Sequence, residues 1–361
     1  MSNRKKRRGR RIRRSRIHFP GTLMAALVVA ALFYIAVPSP QALPDAPAGT
    51  VDTPDPAQTE DDTPTDEPSE TIAAQALLPE SAVPEGLPAV TQPVSPVSPS
   101  TPVIKAITID GSDGEYPSSG VVFIQNRSKY DIDIAGLLKM KDTVKLSGDQ
   151  VQVLIMHTHG TEAYTPDATH SYVATDTSRT KDSNNNMLRV GAEIEKILEA
   201  NGIKTIHSTV LNDSPSYSGS YNRALDDISA KLKANPSIKV VIDVHRDAME
   251  TGTGICYKTV AQVDGKQVAQ LMFVTGTDGG GLKHPNWKKN LSFQMKLQQR
   301  INTRYPGIMR PMSIRNERFN QHVTTGSMLI EVGTSGNTLE EALASARIFA
   351  RELSSLLNER K

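Results

Sequence analysis

Residues 151–164 read VQVLIMHTHGTEAY, and residues 237–248 read SIKVVIDVHRDA. In each, an apolar run with little alternation ends in a polar segment that opens on a histidine. Runs of this kind mark strands buried on both faces, the habit of parallel sheets. A third run, SMLIEVG at 327–333, carries Glu331 near its end. Between and after these runs lie segments of helical period: MLRVGAEIEKILEANG (187–202), SYNRALDDISAKLKANP (220–236), NLSFQMKLQQRINTRYPG (290–307) and TLEEALASARIFARELSSLLNER (338–360). Gly202, Pro236 and the Pro306-Gly307 pair stop the first three, since glycine tolerates the left-handed cap and proline breaks the ladder. IKTIHS (203–208) reads as a short strand, and residues 255–275 read as a hairpin around Asp264-Gly265 that continues into LMFVTG. The order of strands and helices predicts an α/β class domain over 151–361: a mostly parallel sheet flanked by helices.

Working outward, VIKAITID (103–110), SGVVFIQNRS (119–128) and DIAGLLKM (133–140) predict short strands and a helical turn. Residues 103–150 are therefore expected as an accessory N-terminal part, a β-ribbon at the edge of the catalytic domain. Residues 38–102 hold fifteen prolines, and the acids among them are matched by no Lys or Arg before residue 103. That composition cannot bury enough apolar surface to offset ordering, so a disordered linker is expected. Residues 19–37, FPGTLMAALVVAALFYIAV, are uncharged and close to the roughly 20 residues a membrane crossing needs. Residues 1–18 hold ten Lys or Arg and no acid. Such a block stays cytoplasmic, which makes 19–37 a single-pass transmembrane helix and everything beyond Val37 extracytoplasmic. A cleaved signal peptide is the rival reading, and it exports the same domain. The basic block lies flush against an apolar stretch, which argues against a nucleic-acid arm.

With one cysteine, Cys256, the chain can form no internal disulfide and no zinc site of cysteines alone. Any metal must be held by histidines and carboxylates. Ligands in open α/β sheets gather beyond the carboxyl ends of strands, and here those ends carry His157, His159, Glu162, His245 and Asp247, with Glu331 on the last strand. Two histidines and a glutamate are a known catalytic zinc set. His159, Glu162 and His245 are the expected ligands, with Glu331 as the catalytic base toward water. Alternation along an extended strand would place His157 and His159 on one face, so His157 competes as ligand or stands behind it. Asp182, in RTKDSNNN, competes with Glu162, and Asp243 is placed to orient an imidazole. Arg246, Asp247, Asn316, Asn320 and His322 are candidate substrate contacts, as are His284 and Trp287 in a glycine-rich loop. No Gly-x-Ser-x-Gly elbow is present, and the glycines of TDGGGLKHP lack a following Gly-Lys-Ser/Thr.

HTHGTEAYTP, the segment from Arg179 to Asp182 ahead of the MLRVG helix, DVHRD, and LIEVGTSGNTLEEA together resemble the stage II sporulation protein P family of spore-forming bacteria. The resemblance covers residues 103–361. It implies a peptidoglycan hydrolase that cleaves the amide between muramic acid and the stem peptide and is also an endopeptidase on crosslinks. It further implies action in septal wall remodelling and engulfment, alongside a membrane-anchored lytic transglycosylase (stage II sporulation protein D-like) and other engulfment proteins. The catalytic part is similar to zinc N-acetylmuramoyl-L-alanine amidases, whose pattern of His-Gly, strand-end His and late Glu is matched here by His159-Gly160, His245 and Glu331. Their acidic ligand lies just ahead of the first helix, where this chain offers Asp182 and three asparagines. The His-x-x-Glu spacing, similar to zinc carboxypeptidases, keeps Glu162 as first choice. Two other readings stand beside the amidase: a zinc carboxypeptidase on wall peptides, with Arg246, Arg310 or Arg315 holding a free carboxylate, and a non-catalytic wall-binding protein.

Overall fold

The computed structural model describes residues 102–360 except 147, 176, 177, 252 and 253. The expected basic segment 1–18, the anchor 19–37 and nearly all of the linker 38–102 lie outside the described residues. Among the described residues no helix is long and apolar enough to cross a membrane.

In chain order the elements are β1 (Val103–Ile107), β2 (Ser118–Ser119), β3 (Val122–Asn126), α1 (Ile134–Lys139), β4 (Val153–Met156), α2 (Met187–Ala200), β5 (Thr205–His207), α3 (Ser220–Ala234), β6 (Val240–Asp247), β7 (Ile255–Val263), β8 (Lys266–Ala269), β9 (Leu271–Gly276), α4 (Trp287–Arg304), β10 (Met312–Arg315), β11 (Gly326–Thr334) and α5 (Leu339–Asn358). Local chemistry sets the boundaries. Asn186 caps α2 through its side-chain oxygen on Leu188 N, and Gly202, at φ +72°, ends it in the left-handed region. Thr338 and Glu341 form a reciprocal capping box on α5. Asp264 and Gly265 both have positive φ, 51° and 75°, the two-residue turn that joins β7 to β8 as expected.

The large sheet has eight strands in the order β2-β3-β10-β9-β11-β6-β4-β5. Neighbours pair in parallel except β2 with β3 and β9 with β11, so the sheet is mixed. The antiparallel β9–β11 step reverses direction across the sheet. β4, β6 and β11 end at one pole, whereas β3, β9 and β10 end at the other. β10 went unread in the sequence, a four-residue strand too short to show a period. A second sheet, β1-β7-β8, is formed by β1 running parallel beside the hairpin.

The accessory part does not stand apart as a ribbon. β3 hydrogen-bonds to β10 within the large sheet, Val122 and Ile124 are buried, and Ile134 and Leu137 of α1 join the main core. Helices cover the sheet unequally. α2, α4 and α5 pack on the face carrying Ile155, Ile242, Phe273 and Ile330, with Val190, Ile194, Leu291, Met295, Phe349 and Leu353 in the interface. The opposite face carries Leu154, Met156 and Val241 under Ala224 and Ile228 of α3. Further across that same face, Met272, Val274 and Leu329 are met only by Phe319 among partly buried apolar neighbours. His245 and Glu331 share the parity of Val241 and Leu329, so they project on the α3 side.

Candidate metal centre and catalytic carboxylate

β6 and β11 are in parallel register, with Glu331 directly beside His245. β4 stops at Met156, and the chain turns through residues 158–161 so that His159 and Glu162 come back over the sheet end. His159 Nδ1 lies 3.5 Å from Glu162 Oε1, and His245 Nδ1 lies 3.5 Å from Glu162 Oε2. These three side chains are buried and offer ligand atoms within 4.8 Å of one another, a group that could hold a metal ion. The outer ring nitrogens are engaged elsewhere. His159 Nε2 is 3.1 Å from Ser220 Oγ, on the first turn of α3, and His245 Nε2 is 2.9 Å from Asp243 Oδ1 in an ion-pair contact. Asp243 also accepts from Thr158 N at 2.8 Å and from Thr158 Oγ1 at 2.6 Å, which fixes its carboxylate. Partners of this kind fix the orientation of ligating imidazoles.

Electrostatics follow from the pairing. Burial alone would raise the Glu162 pKa, but His159 and His245, with Arg246 nearby, hold it well below the usual range. Burial would likewise strip the proton from His245, but Asp243 and Glu162 raise its pKa well above the ordinary value. The pocket is thus built to stabilise positive charge. Glu331 differs: burial, with the Asp247 charge next, pushes it up to about 8, and its Oε2 is buried without a hydrogen-bond partner.

The other expected residues fall in different places. His157 is fully buried but turns away from the cluster: its Nδ1 is 3.0 Å from Val244 O and its Nε2 is 2.9 Å from His207 Nε2. The expectation that His157 and His159 share a face fails because the extended strand ends before either residue. Gly191 permits this arrangement, since a Cβ there would sit 2.5 Å from His207 Nε2 and 2.6 Å from His157 Nε2. Asp182 is exposed and occupied by the turn ahead of α2, accepting from Asn184 N and Asn185 Nδ2. Arg246 is buried as a strut, donating to Ala163 O at 2.9 Å and to Ser178 O at 2.8 Å, rather than facing substrate. Asp247 pairs with Arg310 at 2.8 Å.

Because β9 and β10 run opposite to β11, the glycine-rich loop and Asn316 sit at the far pole. His284 is fully buried there, Trp287 stacks on Tyr130 at 4.9 Å, and Asn316 accepts from Lys129 N. His322 is half-buried, and burial, with Arg318 beside it, lowers its pKa to about 4. Two residues of that stretch reach back to Tyr221: Asn320 donates to its backbone O at 2.7 Å, and the Phe319 ring lies 5.9 Å from its ring.

Sequence reasoning missed Tyr217, Ser220, Tyr221, Asp213 and the role of Arg179. Tyr217 stacks on His159 at 4.3 Å and Tyr221 meets it edge-on at 5.6 Å. Arg179 joins Asp213 at 2.8 Å to Glu162 at 3.4 Å, and Asp213 accepts from Thr161. The available signal was SYSGS at 216–220, where Gly219, at φ +77°, starts α3 beside the site.

The family model described as Stage II sporulation protein P matches residues 60–354. A curated relative, the Stage II sporulation protein P of Bacillus subtilis (strain 168), is 30% identical over 219 residues, 56% of this chain and 51% of the relative. The chain thus spans about half the length of the curated relative it matches. Among solved structures, the N-acetylmuramyl-L-alanine amidase Ami1 from Mycobacterium smegmatis aligns at TM-score 0.37 and 13% identity, over 59% of this chain and 100% of that one. The CwlD amidase from Clostridioides difficile, in complex with the GerS lipoprotein, aligns at TM-score 0.32 and 15% identity, over 57% and 99%.

Proposed function

Since the chain belongs to the stage II sporulation protein P family, we propose that it is a zinc-dependent peptidoglycan hydrolase, an N-acetylmuramoyl-L-alanine amidase that also opens peptide crosslinks. The observation that carries this reading is the buried His159–Glu162–His245 group in register with Glu331, a carboxylate with one oxygen unpartnered. Zinc fits the donor set. Two imidazoles and a carboxylate, buried with ligand atoms within 4.8 Å of one another, are a donor set that would hold zinc. The raised His245 pKa supports the same view, because the site already stabilises a cation without metal.

His159, Glu162 and His245 would hold the zinc, which would supply Lewis acidity toward the amide carbonyl and the attacking water. Glu331 accepts the water proton as oxygen bonds to the carbonyl carbon, then returns it to the nitrogen as the C–N bond breaks. Water is consumed, and a carboxyl group and an amine are left. Burial, with the Asp247 charge next, raises the Glu331 pKa, so its ionised form is a stronger base than an exposed carboxylate. Asp243 and Ser220 keep His245 and His159 oriented throughout.

The same reading places the enzyme outside the cytoplasm on a single-pass anchor at 19–37, working on septal wall during engulfment beside a lytic transglycosylase. The test is zinc content and product analysis on purified peptidoglycan for the full chain and for Glu331→Gln. Both proteins are expected to hold one zinc, with release of stem peptides and opened crosslinks slowed by about 10²- to 10⁴-fold in the variant. Release of terminal amino acids alone would make it a carboxypeptidase. Zinc-loaded wild type that cuts nothing would leave it a wall-binding protein.

A further inference from the structure

Arg310 lies at the same pole as Glu331, on its other flank from the metal group. Its backbone N donates to Leu271 O at 2.7 Å, and Leu271 pairs with Val332, the residue after Glu331. On the opposite flank, Asp247 pairs with Thr334 at the end of β6. The Arg310 Nη1 to Asp247 Oδ2 ion pair, at 2.8 Å, therefore reaches across the end of β11 just beyond Glu331. Both charges act on Glu331, Asp247 raising its pKa and Arg310 lowering it.

The guanidinium is only partly used. Arg310 is 8% exposed, yet its Nε has no hydrogen-bond partner. A buried guanidinium donor left unmet costs stability, and the planar fork of arginine is suited to bidentate carboxylates. Asp247, the acid paired with Nη1, has a side chain 26% exposed, so the pair is open to solvent on that side.

We propose that Arg310 is a specificity-determining residue that receives a free carboxylate of the wall peptide beside the amide being cut, with Asp247 holding the guanidinium in place until substrate arrives. This rests on the hydrolase reading for its substrate and sharpens it, since wall peptides differ in whether their carboxylates are free or amidated. Two sources share that chemistry: the α-carboxylate of the γ-linked glutamate in the stem, and the carboxylate at the peptide's C-terminus.

The experiment uses the full-length zinc-loaded chain with three synthetic muramoyl peptides: all carboxylates free, the glutamate α-carboxylate amidated, and the C-terminus amidated. The readout is the ratio of kcat/KM between acid and amide, in which any change in Glu331 basicity cancels. Wild type is expected to prefer one acid over its amide by about 10- to 100-fold, the range of a charge-assisted pair. Arg310→Gln should bring that ratio close to one through KM, Arg310→Lys should restore part of it, and Asp247→Asn should keep or enlarge it. The affected arm identifies which carboxylate is read. Equal losses on all three peptides, or matching effects of Arg310→Gln and Asp247→Asn, would show a strut between strands and overturn the proposal. Equilibrium binding of the same peptides to Glu331→Gln separates this from the activity itself. Absence of turnover with a carboxylate preference that Arg310→Gln abolishes would sink the hydrolase reading and leave the receptor standing, whereas absence of any preference would sink the receptor.

Discussion

His245 and His284 are both buried, 3% and 0% exposed, at opposite poles of one sheet, and their pKa values move in opposite directions. His245 has Asp243 at 2.9 Å and Glu162 at 3.5 Å, and its pKa is raised well above the ordinary value. His284 has His322 and Arg318 for neighbours and no hydrogen-bond partner on either ring nitrogen. Burial, with His322 and Arg318 next and Asp278 opposing them, takes it down to about 4. Desolvation acts on both rings in the same direction, so the carboxylates decide which pole attracts a cation.

The comparison can be broken most severely at Glu162. Glu162→Ala removes a ligand atom and the charge shared by both imidazoles, and zinc affinity by competition with a chelator should fall by about 10³-fold or more. Zinc retained at near wild-type affinity would mean that the three side chains are not the ligands. Asp243→Asn probes the carboxylate behind His245, with an expected loss of about 10- to 100-fold in zinc affinity. The neutral amide should also let His245 lose its proton at lower pH in metal-free protein, visible in the imidazole NMR titration. The sign is fixed by the raised folded pKa: the stabilisation from His245 is complete below about pH 6.5 and is lost as pH rises through the folded value.

His157 offers a control two residues from a proposed ligand. Its ring bonds to Val244 O and His207 rather than to the cluster. His157→Ala should therefore lower stability in denaturant by about 1–3 kcal/mol, leaving partners unmet, while zinc affinity stays within about twofold. A large loss of zinc would return His157 to the ligand set. The smallest effect is expected at the far pole. His284 is neutral in the fold with a pKa of about 4, so stability should decline as pH falls from about 6.5 toward that value, where the unfolded chain takes up a proton the fold refuses. His284→Gln should flatten that acid limb by about 1–2 kcal/mol, equally with and without zinc.

How much of this was legible depended on whether an element announces itself locally. Residues 151–156 and 240–244 carry enough continuous apolar sequence to read as buried parallel strands, and both are. β10 is only MSIR after a proline, and its place between β3 and β9 is set by pairing partners far away in sequence. The antiparallel β9–β11 step has no local signature either. It is why Asn316, His322, His284 and Trp287, assigned by sequence to the groove, belong to the other pole. At the site, His159, Glu162 and His245 were readable from residue type and strand-end position. Ser220, Tyr217 and Asp213 were not, because the first turn of α3 and the polar loop before it become part of the site only when α3 docks beside β4.

The reversal of strand direction also separates what the protein does from where it can be altered. Loops at the ends of β3, β9 and β10 belong to the other pole, and Gly280 and Gly281 there are exposed, with Gly281 at φ +95°. Of the 316–320 stretch at that pole, Phe319 and Asn320 tether back to Tyr221. A reporter or targeting module spliced between Gly280 and Gly281 would ride on a rigid sheet while leaving the working end untouched. The molecule thus comes with a built-in handle, usable for tracking or redirecting it.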